Sequence, residues 1–287
     1  MRDFNYRRAT DLETALSILA EERDNAYVVA GATNVLPSIR QEDRSTGTLV
    51  DIQRIEALWG VKSDGDTITV GPLTTISEIE HSDVLKEYAP VLWQVSKDFA
   101  DPSTRHSATI GGNICNASPA ADCAAPLLVL DAMLTIQKKG ASRELPITEF
   151  FKNKGQTALE TGELLTKITF KKAPNSSFYK VCGRKAMSIS AANFAVALTP
   201  DGQKVKNVRV ATGCLSPYPS RAKATEKLLE GQVLTDSLLA KVDETLNKND
   251  ITPHSGLRAT EEYRRAIAPV IICRLLQTAY NGKGGAK

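Results

Sequence analysis

The sequence predicts an α+β fold in two domains, and three observations carry that expectation: the length, a first half in which short strands alternate with helices, and a second half that opens on a hairpin and closes in helices. At 287 residues the chain is long for one core and comfortable for two, because single cores stop growing at about 250 residues. The composition, 42% hydrophobic and 24% charged, supplies enough Leu, Ile, Val and Phe to fill both.

Taken in order, Thr10-Asp11-Leu12-Glu13 has the capping-box pattern, and Leu12, Ala15, Leu16 and Leu19 follow at helical spacing. Tyr27 to Ala30, Thr48 to Ile52 and Thr67 to Val70 read as strands. Thr75-Ile76-Ser77-Glu78 is a second capping box, and Pro90 opens a helix with Val91, Leu92, Val95 and Phe99 on its apolar face. From about residue 175, Ile189 to Leu198 and Val205 to Val210 are strands joined by a turn at Pro200-Asp201-Gly202. Helices then run over Ala222 to Leu229, Ser237 to Leu246 and Glu261 to Tyr280, the last with a kink expected at Pro269. The polar, proline-bearing stretch at Pro174 marks the domain boundary, and residues 282–287 read as a frayed tail.

Composition excludes several functions. A net charge of +3, with basic and acidic residues interspersed, does not describe a nucleic-acid binder. No apolar run reaches signal-peptide or membrane-span character, so the chain is expected in the cytoplasm. The five cysteines are widely spread with no CxxC pair, which leaves no ligand set for an iron–sulfur cluster or structural zinc on this chain. His81, His106 and His254 are scattered, and no acid–base pair or nucleophile triad stands out. Chemistry, if present, belongs to a cofactor.

Two loops are candidates for holding one. In Val28 to Pro37, VVAGATNVLP, an apolar strand runs into Gly31, Ala32, Thr33 and Asn34, where amides freed at a turn can form an anion-binding nest. Such turns use Gly and Asn for geometry at least as often as for ligands. In Ala108 to Asp122, ATIGGNICNASPAAD, Gly111-Gly112 stand beside Asn113, Asn116 and Ser118, with one acceptor at Asp122. This is neither the Rossmann GxGxxG layout nor a GxxxxGK phosphate loop, which disfavours nucleoside triphosphate hydrolysis. A plain Gly-Gly turn with polar capping is the competing reading.

The pair AGATNVLP (Ala30 to Pro37) and ATIGGNICNASPAADCAAPLLVLDA (Ala108 to Ala132), with Asp101-Pro102-Ser103-Thr104-Arg105 before it, resembles the FAD loops of the flavoprotein subunits of molybdenum hydroxylases, the xanthine dehydrogenase and carbon monoxide dehydrogenase type. The usual forms are AGGTDL and TIGGN, and the resemblance covers essentially the whole chain. It implies a two-lobed FAD domain of the p-cresol methylhydroxylase type over residues 1–173, lobes about 1–57 and 58–173, followed by a smaller domain of antiparallel sheet plus helices over 174–281. It further implies that Ala30, Gly31, Ala32, Thr33, Asn34 and Val35, with Thr109, Ile110, Gly111, Gly112 and Asn113, wrap the FAD diphosphate through main-chain amides. Asp122 would hold the ribose, and Cys115 and Asn116 would line the same bend. Phe99, Ala100 and Lys185 would lie beside the flavin ring.

Molybdopterin and [2Fe–2S] clusters are implied on partner chains, a large and a small subunit in a dimer of heterotrimers, with electrons passed on to NAD or another acceptor. The sequence departs from the family at Ala32, where the second glycine usually stands, and at Asn34, where Asp is usual; an ordinary backbone angle is expected at Ala32. A flavin-free docking subunit and a stand-alone flavin reductase resembling the cell-wall enolpyruvyl reductases remain as alternatives.

Overall fold

The computed structural model describes residues 4–41, 46–184 and 186–282. Three of the four sheets among the described residues organise it. The first is parallel, in the order Phe4–Arg8, Gly47–Asp51, Ala26–Val29. Helix Leu12–Glu22 packs beside it, burying Ala15, Leu16, Ile18 and Leu19. Asp11, not Thr10, caps that helix, accepting from the Thr14 amide at 2.8 Å; Asp is at least as good an N-cap as Thr. The Thr75 capping box forms as expected, with reciprocal bonds to Glu78.

The second sheet is antiparallel, in the order Val61–Asp64, Thr67–Val70, Leu164–Lys171, Met133–Lys138, Ala141–Pro146. Its inward residues, Ile68, Val70, Leu134, Ile136 and Ile168, are fully buried under the short helices of residues 76–129. Pro90 does open a helix, Pro90–Val95, but a 3-10 turn over Ser96–Asp98 ends it before Phe99, whose backbone is extended.

The third sheet runs Ser176–Val181, Ala192–Asp201, Lys204–Gly213, Ser220–Arg221, all antiparallel. It is covered on both faces, which is why Ala192 to Leu198 is buried without alternation. Ala195, Ala197 and Ala211 face the core beneath the second sheet, while Phe194, Val196 and Val210 face the helix Glu261–Tyr280. That helix runs continuously through Pro269. The central hairpin turns at Gly202 (φ 58°), because Asp201 still pairs with Lys204. The strand expected from Ile189 starts at Ala192, leaving Ile189 outside it and exposed. No helix among the described residues is long and apolar enough to cross a membrane.

Candidate cofactor site

The two loops meet. The chain leaves strand Ala26–Val29 at Ala30, whose carbonyl accepts from the Gln53 side chain. At Gly31 a Cβ would collide with the main-chain carbonyl of Ser107, so the first loop lies directly against the segment that feeds the second. Asn34 then donates its Nδ2–H to Asn116 Oδ1 at 2.6 Å, a bond between residues 82 apart in sequence. Between the loops lies a cleft of about 800 Å³, within the usual range for small-molecule sites.

What each loop offers differs. The second is stitched to the protein: Ile110 donates to the Thr74 carbonyl at 3.0 Å, Gly111 to the Pro72 carbonyl at 2.8 Å and Asn113 to the Thr109 carbonyl at 2.9 Å. The Gly112 amide donates to Thr109 Oγ1 at 3.1 Å. Four of the N–H groups across Thr109 to Asn113 thus have protein acceptors. Glycine serves other ends there. A Cβ at Gly111 would meet Pro72 at 2.6 Å, so that position is set by packing. Among the described residues, and apart from the helix's own backbone, a Cβ at Gly112 would meet only Thr109 Oγ1, at 2.9 Å, and the position lines the cleft.

In the first loop, by contrast, no hydrogen bond among the described residues engages the amides of Gly31, Ala32 or Thr33. Ala32 has φ 58°, correcting the expectation of an ordinary angle there. A left-handed alanine is strained by about 1–2 kcal/mol. Successive unbonded amides about a left-handed residue make a concave anion receptor.

At the other end of the cleft is a buried ion pair. Lys180 Nζ donates to Asp122 Oδ2 at 2.7 Å and to the Asp98 carbonyl at 3.0 Å, and Ser190 Oγ donates to Asp122 Oδ1 at 2.6 Å. Burial pushes the Asp122 carboxyl up, with Lys180 and Ser190 pulling against it. Lys180 escapes the sequence reading, yet a signal exists. In Ser176–Val181 it shares the parity of Phe178 while Tyr179 points out, so the alternation places a lysine inward. Cys115 lies on the wall with its thiol pushed up to about 12 by burial.

Of the residues expected at the site, the cleft brings together Ala30 through Val35, Phe99 and Ala100, and Thr109, Gly111, Gly112, Asn113, Cys115, Asn116 and Asp122. Ile110 is not among them; it alternates away from the cleft and is fully buried in the main core. Lys185 lies outside the described residues.

This geometry, a cleft between a free-amide turn and a glycine cradle, agrees with the proteins the chain resembles. The family described as the FAD binding domain in molybdopterin dehydrogenase matches residues 2–171. The CO dehydrogenase flavoprotein C-terminal domain matches residues 177–279. The chain belongs to the family of FAD-binding subunits of molybdenum hydroxylases, and is an FAD-dependent oxidoreductase subunit. It is 30% identical to the xanthine dehydrogenase FAD-binding subunit of Escherichia coli O157:H7, over 99% of both chains. It is also 30% identical to the glyceraldehyde dehydrogenase medium chain of Sulfolobus acidocaldarius, covering 94% of this chain and 95% of that one. Among solved structures, carbon monoxide dehydrogenase from Hydrogenophaga pseudoflava superposes with a TM-score of 0.92 at 26% identity, over 98% of each chain.

Proposed function

We propose that the cleft between the two loops holds FAD, and that the chain relays electrons from [2Fe–2S] clusters on a small partner subunit to NAD or another acceptor. A molybdopterin-binding large subunit oxidises the organic substrate in this reading, and the assembly is a cytoplasmic dimer of heterotrimers of the xanthine dehydrogenase kind. The observation that carries the proposal is the meeting of three unengaged amides and a side-chain-free cradle at one cleft.

The residues fit the group. The amides of Gly31, Ala32 and Thr33 hold the diphosphate, and the space above Gly112 leaves room for it. Asp122 has both oxygens bonded but keeps lone pairs for a sugar hydroxyl. Lys180, with two N–H groups committed, has a third to offer a ring carbonyl, and its charge favours an electron-rich ring beside it. Phe99 and Ala100 line the same end. Bound flavin supplies the exchange between single electrons and hydride.

The likeness to the Escherichia coli subunit over the full length of both chains supports the xanthine dehydrogenase reading. We place the domain boundary at residue 174, between strands Leu164–Lys171 and Ser176–Val181. The purified chain is expected to show the visible bands of oxidised flavin, release one FAD per chain on denaturation, and co-purify with two further subunits. A colourless chain within the complex would indicate a docking subunit instead, and an isolated chain that turned over an organic substrate with NAD(P)H would indicate a stand-alone reductase.

A further inference from the structure

We infer that Ala32 is a positioning residue whose backbone switches on cofactor release: the Gly31–Ala32 peptide turns over, and the alanine methyl thereby weakens FAD binding. This rests on the FAD reading of the cleft.

Strained backbone persists only where its surroundings hold it. At Ala32 the protein does not supply that hold. Its amide and those of Gly31 and Thr33 have no partner among the described residues. The ends of the loop are fixed, Gly31 by the Ser107 carbonyl it lies against and Asn34 by Asn116 and by the Ser38 amide bonded to its carbonyl at 2.9 Å. Between fixed ends a single peptide plane can still rotate, since its rotation changes only the ψ of Gly31 and the φ of Ala32. Gly31 tolerates either orientation because it has no Cβ. Turned over, Ala32 relaxes to negative φ and its N–H leaves the cleft. A diphosphate accepting that N–H is what holds Ala32 at φ 58°.

Most left-handed residues elsewhere differ in this respect. Cys214 (φ 64°) donates its amide to the Pro119 carbonyl at 2.8 Å, and Asn207 (φ 50°) donates to Glu230 at 3.0 Å. In both the protein itself fixes the strained angle. Ala32 and Ala100 (φ 43°) both line the cleft in the left-handed region with no acceptor for their own amides among the described residues, but Ala32 follows a glycine, whose ψ can change freely, whereas Ala100 follows Phe99.

Glycine at position 32 carries no strain in the bound orientation. Apoprotein stripped of flavin and titrated with FAD should bind about fivefold more tightly as Ala32→Gly than as the parent, the gain left after the added freedom of a glycine loop is subtracted. The melting temperature of the apoprotein should be unchanged or slightly lower. Equal FAD affinity with a raised apoprotein melting temperature would overturn the inference, because the strain would then be present with and without cofactor. Weaker binding by Ala32→Gly would overturn it as well. A parent apoprotein that takes up no FAD would instead contradict the assignment of the cleft.

Discussion

The two loops look alike in sequence, each with glycine followed by small polar residues, but they do opposite work. In the second, amides are spent on the protein and glycine is a matter of clearance: Gly111 clears Pro72 and Gly112 clears the cleft. In the first, one glycine lets the main chains touch and three amides have no acceptor among the described residues. A glycine-rich loop is thus not by itself an anion receptor. Whether its N–H groups are free depends on carbonyls contributed from elsewhere, here those of Pro72 and Thr74.

The largest effect is expected where a glycine is structural. Gly31→Ala drives a Cβ into the Ser107 carbonyl, and neither backbone can move without parting the loops. Chemical denaturation should show a loss of about 3 kcal/mol, the upper end for overpacking, together with loss of FAD. Gly112→Val should separate those two outcomes. Its Cβ meets Thr109 Oγ1 at 2.9 Å, at a position that lines the cleft. FAD affinity should fall by about a hundredfold, or roughly 2.7 kcal/mol, while apoprotein stability drops by about 1 kcal/mol for a branched residue replacing glycine in a short helix under local crowding. If Gly112→Val retained full flavin occupancy, the placement of the diphosphate would be wrong.

A smaller effect tests the bridge between the loops. Asn34→Ala removes the bond to Asn116 and should weaken FAD by a factor of about 3–10, corresponding to a typical net hydrogen bond of about 1 kcal/mol; isothermal titration would resolve it. The smallest belongs to the cleft wall, outside both loops. Glu163 accepts from Arg143 at 2.8 and 2.7 Å, and that pairing holds its carboxyl below the ordinary value of 4.5. A depressed acid contributes stability that is present above its unfolded value and lost as pH falls through its folded value. Glu163→Gln should therefore lower stability at neutral pH by less than about 1 kcal/mol, since Arg143 is partly exposed to solvent. The difference from the parent should vanish as the pH is taken below 4.5.

Local order is largely written in the nearby sequence. The Thr75 capping box, Thr67–Val70 and the limits of Glu261–Tyr280 depend on neighbours within a turn or two, and they are where the pattern puts them. Residues 192–198 read as a strand although buried on both faces, because a β-prone apolar run bounded by a turn needs no alternation. Within the site, the membership of both loops was legible and their division of labour was not. Ile110 has the same local sequence context as Gly111, and only the pairing of Thr109 with Thr75 turns one to the core and the other to Pro72. Likewise the sign of φ at Ala32 is set by where the chain must go between Ser107 and Asn116, which no nearby residue encodes. Lys180 is within reach of a parity argument in its strand, whereas the resemblance points to Lys185.

The most direct test of the account follows backbone amides one by one. In a ¹⁵N-labelled apoprotein titrated with FAD, the N–H resonances of Gly31, Ala32 and Thr33 should move strongly downfield as they take a phosphate acceptor, while those of Ile110, Gly111 and Asn113, already bonded to protein carbonyls, move far less. Large downfield shifts confined to residues 110–113, with the first loop unmoved, would contradict it.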